Sequence, residues 1–155
     1  MIPASDITKW GIYHPWSTRD HIEQDFLLSQ AICEIANDPL FGNELIIRGG
    51  TAFHKLFLPK PYRYSEYLDY VRRNAGGIGP IMTQLVTIGD KLGYKTSRNL
   101  AKYPKVFWKG ISESEQPIKI KIEINTYERT PALPLTTLRH DIGAEWYRCI
   151  QNISP

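Results

Sequence analysis

Leu45-Ile46-Ile47-Arg48-Gly49-Gly50-Thr51 is the stretch on which the fold turns. Three consecutive apolar residues fit a short buried strand, and the two glycines behind Arg48 allow a tight turn that a side chain would obstruct. From Thr51 to Leu58 the apolar residues Phe53, Leu56 and Phe57 fall at helical spacing, until Pro59 and Pro61 end the run. A strand that feeds a helix through a glycine turn is the building unit of an α/β arrangement.

The same alternation of elements continues in both directions. Upstream, Ser5 can cap a short helical turn through Lys9 and Trp10, and Ser17 or Thr18 can cap a longer helix that Asn37-Asp38-Pro39 stops. In the longer helix Ile22, Phe26, Cys33 and Ala36 share a face, with Leu28, Ile32 and Ile35 beside it, the broad stripe of a helix lying on a sheet. Downstream, Tyr67 to Arg72 reads as the next strand, residues 76–80 as a turn, and Ile81, Leu85, Ile88 and Leu92 as one helix face ending at Gly93. Tyr94 to Thr96 can pair with Lys105 to Lys109 as a hairpin. The clearest strand is Ile118 to Ile124, where four isoleucines alternate with Lys119, Lys121 and Glu123, so one face is core and Glu123 points away from it. After Pro131 the pattern weakens toward a short helix expected around Ile142 to Ile150. The order predicts one α/β (α+β) domain over residues 1–155, a mixed β-sheet flanked by helices.

Composition narrows the class. Of 155 residues 42% are apolar and 23% charged, values of a globular chain rather than a disordered one. No run approaches the roughly 18 apolar residues of a membrane span, and the start Met-Ile-Pro-Ala-Ser-Asp has neither a basic nor an apolar leader region. A cytoplasmic protein with no membrane partner is expected. Cys33 and Cys149 form no metal or redox motif and are expected to be reduced thiols. His14, His21, His54 and His140 share no metal-ligand spacing. Net charge is only +3, yet residues 1–50 carry seven Asp/Glu against three Lys/Arg, whereas 72–121 carry ten Lys/Arg against three Asp/Glu. Such a local excess suits a polyanion, and equally suits a solvated lysine-rich hairpin. Trp10, Tyr13 and Trp16 are open to two readings, base stacking or packing.

Four pieces carry chemistry: Gly49-Gly50-Thr51 after a strand, Tyr67-Leu68-Asp69 on the next strand, Glu123 on a later one, and basic residues nearby. Glycines let a backbone approach a phosphate without a Cβ in the way, though the same residues also make a plain strand-to-helix turn. Residues 67 and 69 project from one side of a strand. Carboxylates at both places, joined by a third on a neighbouring strand, would hold two divalent cations against a nucleoside triphosphate.

Ile47-Arg48-Gly49-Gly50-Thr51-Ala52-Phe53-His54-Lys55-Leu56-Phe57-Leu58 followed by Arg63-Tyr64-Ser65-Glu66-Tyr67-Leu68-Asp69 resembles the signature of the AbiEii/AbiGii-type (abortive infection) toxins, in the DNA-polymerase-β-like nucleotidyltransferase superfamily. Lys119 to Asn125 is similar to that family's third-carboxylate strand, Ile22-Glu23-Gln24-Asp25 to its N-terminal helix motif, and Gly77 to Ile81 to the linker after its second strand. The likeness covers roughly residues 5–130. It implies transfer of a nucleotidyl group from a nucleoside triphosphate to an acceptor, tRNA in some members, with Mg²⁺ or Mn²⁺ as cofactor and a cognate antitoxin as partner. By position, Gly49, Gly50 and Thr51 match the triphosphate-gripping turn, Arg63 and Ser65 match residues near the triphosphate, Asp69 matches the second metal carboxylate and Glu123 the third. Glu23 and Asp25 are expected to serve helix-start electrostatics or packing, and Glu128 is the spare for Glu123.

The sequence departs from the family twice. Where the pattern has the first aspartate of Ser-Glu-Asp-x-Asp, this chain has Tyr67, a neutral phenol at ordinary pH. Past Pro131 the family's helical C-terminal part is missing, and 131–155 reads as an atypical tail. The expectation is a truncated toxin-like core, inactive or weakly active, prone to self-association where the missing part would dock; the alternative is a non-catalytic remnant that binds nucleotide, RNA or an antitoxin.

Overall fold

A computed structural model describes residues 3–42, 44–52, 65–127, 136–141 and 148–153. Two helices lead, α1 (Ala4–Tyr13) and α2 (Arg19–Asn37). They are followed by β1 (Leu45–Arg48), a short α3 (Gly49–Ala52), β2 (Tyr67–Arg72), α4 (Gly79–Lys91), β3 (Lys95–Asn99), β4 (Lys105–Ile111), β5 (Pro117–Asn125), β6 (Thr136–Asp141) and β7 (Arg148–Ile153). Thr18 caps α2, its hydroxyl oxygen accepting the His21 amide at 3.2 Å. Ser5 does not cap α1: the cap is Pro3, with no side-chain bond, and its carbonyl accepts the Asp6 and Ile7 amides at 3.0 and 3.3 Å, so the helix starts before Ser5. The helix expected from Thr51 begins two residues earlier, at Gly49, and its continuation past Ala52 lies outside the described residues.

The strands form one sheet in the order β3-β4-β5-β2-β1-β7-β6. β2 pairs parallel with β5 and β1 with β7, and the remaining neighbours are antiparallel, so the sheet is mixed, as anticipated. The tail corrects the sequence reading. Residues around 142–150 were expected to be helical, yet Arg148–Ile153 is a strand, zipped to Thr136–Asp141 from Thr136↔Ile153 to Asp141↔Arg148 and joined to β1 at Ile47↔Ile153. The physical reason is the free edge of β1: its backbone N–H and C=O groups gain partners from an added strand, which outweighs a weak helical spacing.

The core lies on the isoleucine face. Ile118, Ile120, Ile122 and Ile124 are all buried; Leu68 and Tyr70 of β2 stand in register with Ile122 and Ile124, and Val106 and Trp108 of β4 with Ile122 and Ile120. α2 and α4 cover this face with Phe26, Leu28, Ile32, Ile35, Ile81, Met82, Leu85 and Ile88. Burial of each isoleucine side chain contributes about 1.5–3 kcal/mol. Trp108 is fully buried, donates its indole N–H to the Leu85 carbonyl at 3.0 Å and stacks on Tyr94. α4 comes this close because Gly89 faces the indole: a Cβ there would stand 2.5 Å from Trp108 Nε1.

The Glu23-Gln24-Asp25 motif is buried and serves packing contacts. Asp25 accepts the Trp10 indole N–H at 2.8 Å, Gln24 donates to the Lys119 carbonyl at 2.9 Å, and Glu23 accepts the Glu113 amide at 3.0 Å. Burial pushes the Glu23 carboxyl above its ordinary range, against the lowering effect of that amide. Arg19 adds an ion pair to Glu113 at 2.7 Å and Asp20 bonds Ser114, so the turn between β4 and β5 is tied to the start of α2. Trp10 stacks on His14 and Phe26, which answers for that residue the choice between packing and base stacking. No helix among the described residues is long and apolar enough to cross a membrane.

Candidate functional site

Strand alternation that sends the isoleucines inward sends Lys119, Lys121, Glu123 and Asn125 to the other face. The parallel register with β2 sets Tyr67 beside Lys121 and Asp69 beside Glu123, while the antiparallel register with β1 sets Arg48 beside Asp69. Neighbouring strands lie about 4.8 Å apart, so the two carboxylates are within reach of one shared cation. Both line a cleft of about 530 Å³ together with Arg48, Gly49, Tyr70, Tyr103 and Asn125. That volume falls within the range of roughly 300–1,000 Å³ that takes a small ligand.

Gly49 is required twice over. Its φ of +87° is a left-handed conformation that side chains resist, and a Cβ would meet Asp69 Oδ2 at 2.9 Å. The glycine thus lets the turn close directly over the Asp69 carboxylate. Burial raises the Asp69 carboxyl above its ordinary range, the Glu123 charge raises it further, and Lys121 and Arg48 pull the other way. Two hard oxygen donors held together against their own repulsion suit a divalent cation whose remaining ligands come from water or phosphate. Among the described residues no group of three or more His, Cys, Asp or Glu gathers as a metal site.

Glu123 is not left to Asp69 alone. Lys121 Nζ lies 3.5 Å from Glu123 Oε2 and Lys105 Nζ 4.0 Å from Oε1. The same Lys121 ammonium sits over the Tyr67 ring, 4.7 Å from its centroid, and Tyr67 is 41% exposed. Further along the face Lys109 and Lys119 both stand 5.9 Å from the centre of Phe107, and Lys102 covers Tyr103 at 5.5 Å and Tyr127 at 5.8 Å. Lys95 opposes Lys109 across β3 and β4. Lys95, Lys105, Lys109, Lys119 and Lys121, half of the ten basic residues of 72–121, thus share the outer face of β3, β4 and β5.

The remaining residues singled out in the sequence fall as follows. Gly50 is exposed in the first turn of α3, and Thr51 is buried, its Oγ1 2.7 Å from Ser65 Oγ and 2.9 Å from the Tyr67 carbonyl oxygen. Ser65 Oγ also accepts the Tyr67 amide at 3.1 Å. Thr51 and Ser65 therefore meet each other and stitch α3 to the start of β2, beside the cleft lining rather than in it. Arg63, Lys55, His54 and Glu128 lie outside the described residues, and nothing is described of the side chains of His140 and Cys149. Cys33 is a buried thiol. Arg48, Lys105, Lys121, Tyr103 and Asn125 had not been singled out. The β5 alternation carries a signal for Lys121 and Asn125, and Arg48 precedes the glycine turn directly; Lys105 and Tyr103 become visible only through the pairing of β4 with β5.

No protein-family model matches the chain, and no curated protein matches it. Among solved structures it is similar to MenT4, a nucleotidyltransferase toxin from Mycobacterium tuberculosis H37Rv, with a TM-score of 0.67 and 15% sequence identity. The likeness covers 100% of this chain and 55% of MenT4, so the chain spans about half the length of that relative. The fold is nucleotidyltransferase-like.

Proposed function

We propose that the cleft binds a nucleoside triphosphate with a divalent cation and that the chain is the core of a nucleotidyltransferase acting on an RNA acceptor, in the manner of the AbiEii/AbiGii-type toxins. The observation that carries this reading is the register Asp69↔Glu123 beside Gly49, two carboxylates facing one cleft under a turn without a Cβ. Asp69 and Glu123 would hold Mg²⁺ or Mn²⁺, which supplies neutralising charge to the phosphates. Arg48 adds a fixed positive charge beside them. Transfer would join an acceptor oxygen to the α-phosphorus as the α–β bridging bond breaks and pyrophosphate leaves, and Glu123 would promote loss of the acceptor hydroxyl's proton. Gly50, Thr51 and Ser65 support the shape of the turn, and Arg63 is proposed on sequence alone. The lysine-rich outer face, with Phe107 set among Lys109, Lys119 and Lys121, supports a polyanionic acceptor such as tRNA.

Tyr67 favours a second reading. A phenol where the toxins carry a carboxylate leaves the site with two acids, which suits a non-catalytic protein that keeps nucleotide or RNA in the old cleft, or that engages an antitoxin. Thermal unfolding with nucleoside triphosphates and Mg²⁺ tests the first proposal. Ligand at about 100 times Kd should add roughly 2.7 kcal/mol of stability, and Asp69→Asn should abolish most of the metal-dependent part. No stabilisation by any triphosphate, with or without Mg²⁺, would defeat it. Radiolabelled transfer to RNA then separates the enzyme from the remnant, since RNA retardation on a gel without transfer supports the second reading.

A further inference from the structure

We infer that Lys121, held at the margin of the cleft on the lining carboxylate Glu123, is a resident cation standing in for one of the divalent ions that three carboxylates would otherwise gather, so that nucleoside triphosphate binds here with one divalent cation at most and retains affinity with none. The inference rests on the nucleotide-binding reading above. Its own basis is a set of contacts around a single ammonium. Lys121 Nζ is 3.5 Å from Glu123 Oε2 and 4.7 Å from the centre of the Tyr67 ring, and Tyr67 is the cross-strand partner of Lys121 in the register. Both side chains of the Lys121–Glu123 pair are about a quarter exposed, so the contact is partly desolvated.

The choice of residue at 67 follows from the charge at 121. Strand alternation puts position 67 on the face of Asp69, and a carboxylate there would face Lys121 and draw it into an ion pair. A phenol ring instead offers the negative face of its quadrupole, which holds an ammonium without cancelling its charge. Lys121 therefore has no second carboxylate at position 67 and stays on Glu123, an acid of the cleft lining. With Lys105 on the other Glu123 oxygen at 4.0 Å and Arg48 in the lining, three cationic side chains meet two carboxylates. A cleft so balanced attracts phosphate by itself, whereas one lined by three acids would repel it until metal ions bound.

The test uses the full chain, with ATP and Mn²⁺ as probes and GTP, CTP and UTP as parallel titrants. Calorimetric titration in EDTA should detect triphosphate binding to the parent chain, and paramagnetic resonance should count no more than one tightly bound Mn²⁺ per chain in the presence of nucleotide. Lys121→Gln should weaken metal-free binding by about tenfold, the loss of one charge-assisted contact, and tighten Mn²⁺ by roughly fivefold. Lys121→Arg should stay near the parent. Lys119→Gln, the same charge change two residues away on the same face, should move neither number, which separates a local role from bulk charge, and the thermal transition of each variant reports folding. Equal effects of Lys119→Gln and Lys121→Gln, an absolute metal requirement for triphosphate, or two tight Mn²⁺ ions in the parent would each overturn the inference while leaving the nucleotide reading standing. Absence of both nucleotide and Mn²⁺ binding in every variant would remove the two together.

Discussion

The two faces of β5 follow one alternating pattern and meet different physical demands. Inward, Ile118, Ile120, Ile122 and Ile124 need only to be apolar and of suitable volume, and the helices settle over them. Outward, Lys121 and Glu123 acquire meaning from particular partners on other strands: Tyr67, Asp69 and Lys105. A core face is specified by a property of the residues themselves, whereas a site face is specified by register.

The contrast can be broken or sharpened by substitution. Its largest expected effect is on the inner side: Trp108→Ala should cost about 3–5 kcal/mol, because it removes a buried indole, its bond to the Leu85 carbonyl and its stack on Tyr94. Chemical denaturation would show it, and a loss under 1 kcal/mol would mean the inner face is not what holds the sheet. A smaller effect of opposite sign is expected outside. The Asp69 carboxyl is raised by burial and by Glu123, so the folded chain binds its proton more tightly than the unfolded chain does. That contribution to stability is fully present below the ordinary carboxyl pKa and is lost as pH rises through the higher folded value. Asp69→Asn should therefore flatten the decline of stability with rising pH over that window and leave the variant somewhat more stable than the parent near neutrality, measured as unfolding midpoints against pH. A steeper decline in the variant would show that Asp69 is net stabilising as a carboxylate. The smallest effect belongs to Lys119→Ala, an exposed residue of the outer face, which should stay within about 0.5 kcal/mol of the parent; a larger loss would place part of the fold's stability in the lysine face.

The same distinction governs what the sequence reveals. The order of elements from α2 to β5 is legible because Ile118 to Ile124 alternates without interruption and because Thr18, Pro39 and Gly93 mark ends by local backbone chemistry. Asp69 and Glu123 are legible as candidates because the glycine turn and the strand parity announce them. β6 and β7 are not, since Thr136–Asp141 and Arg148–Ile153 gain their stability from each other and from the edge of β1, an influence no local periodicity carries. Lys105 and Tyr103 escape for the same reason. Tyr67 reads from sequence as a loss, a missing acid; beside Lys121 it reads as a partner for a cation.

The parallel pairing of β2 with β5 also dictates when the cleft exists at all. Residues 69 and 123 are brought side by side across a crossover that contains α4 and the β3–β4 hairpin. Contacts of such long sequence separation close after local helices and hairpins, because loop entropy must first be overcome. A chain still being synthesised, with β5 inside the ribosome, already has its glycine turn and Asp69 but no paired acids. Any ligand affinity that depends on both would arrive only once β5 has docked beside β2, late enough to report that the β2–β5 pairing at the middle of the sheet has formed, while β6 and β7 are still to be added.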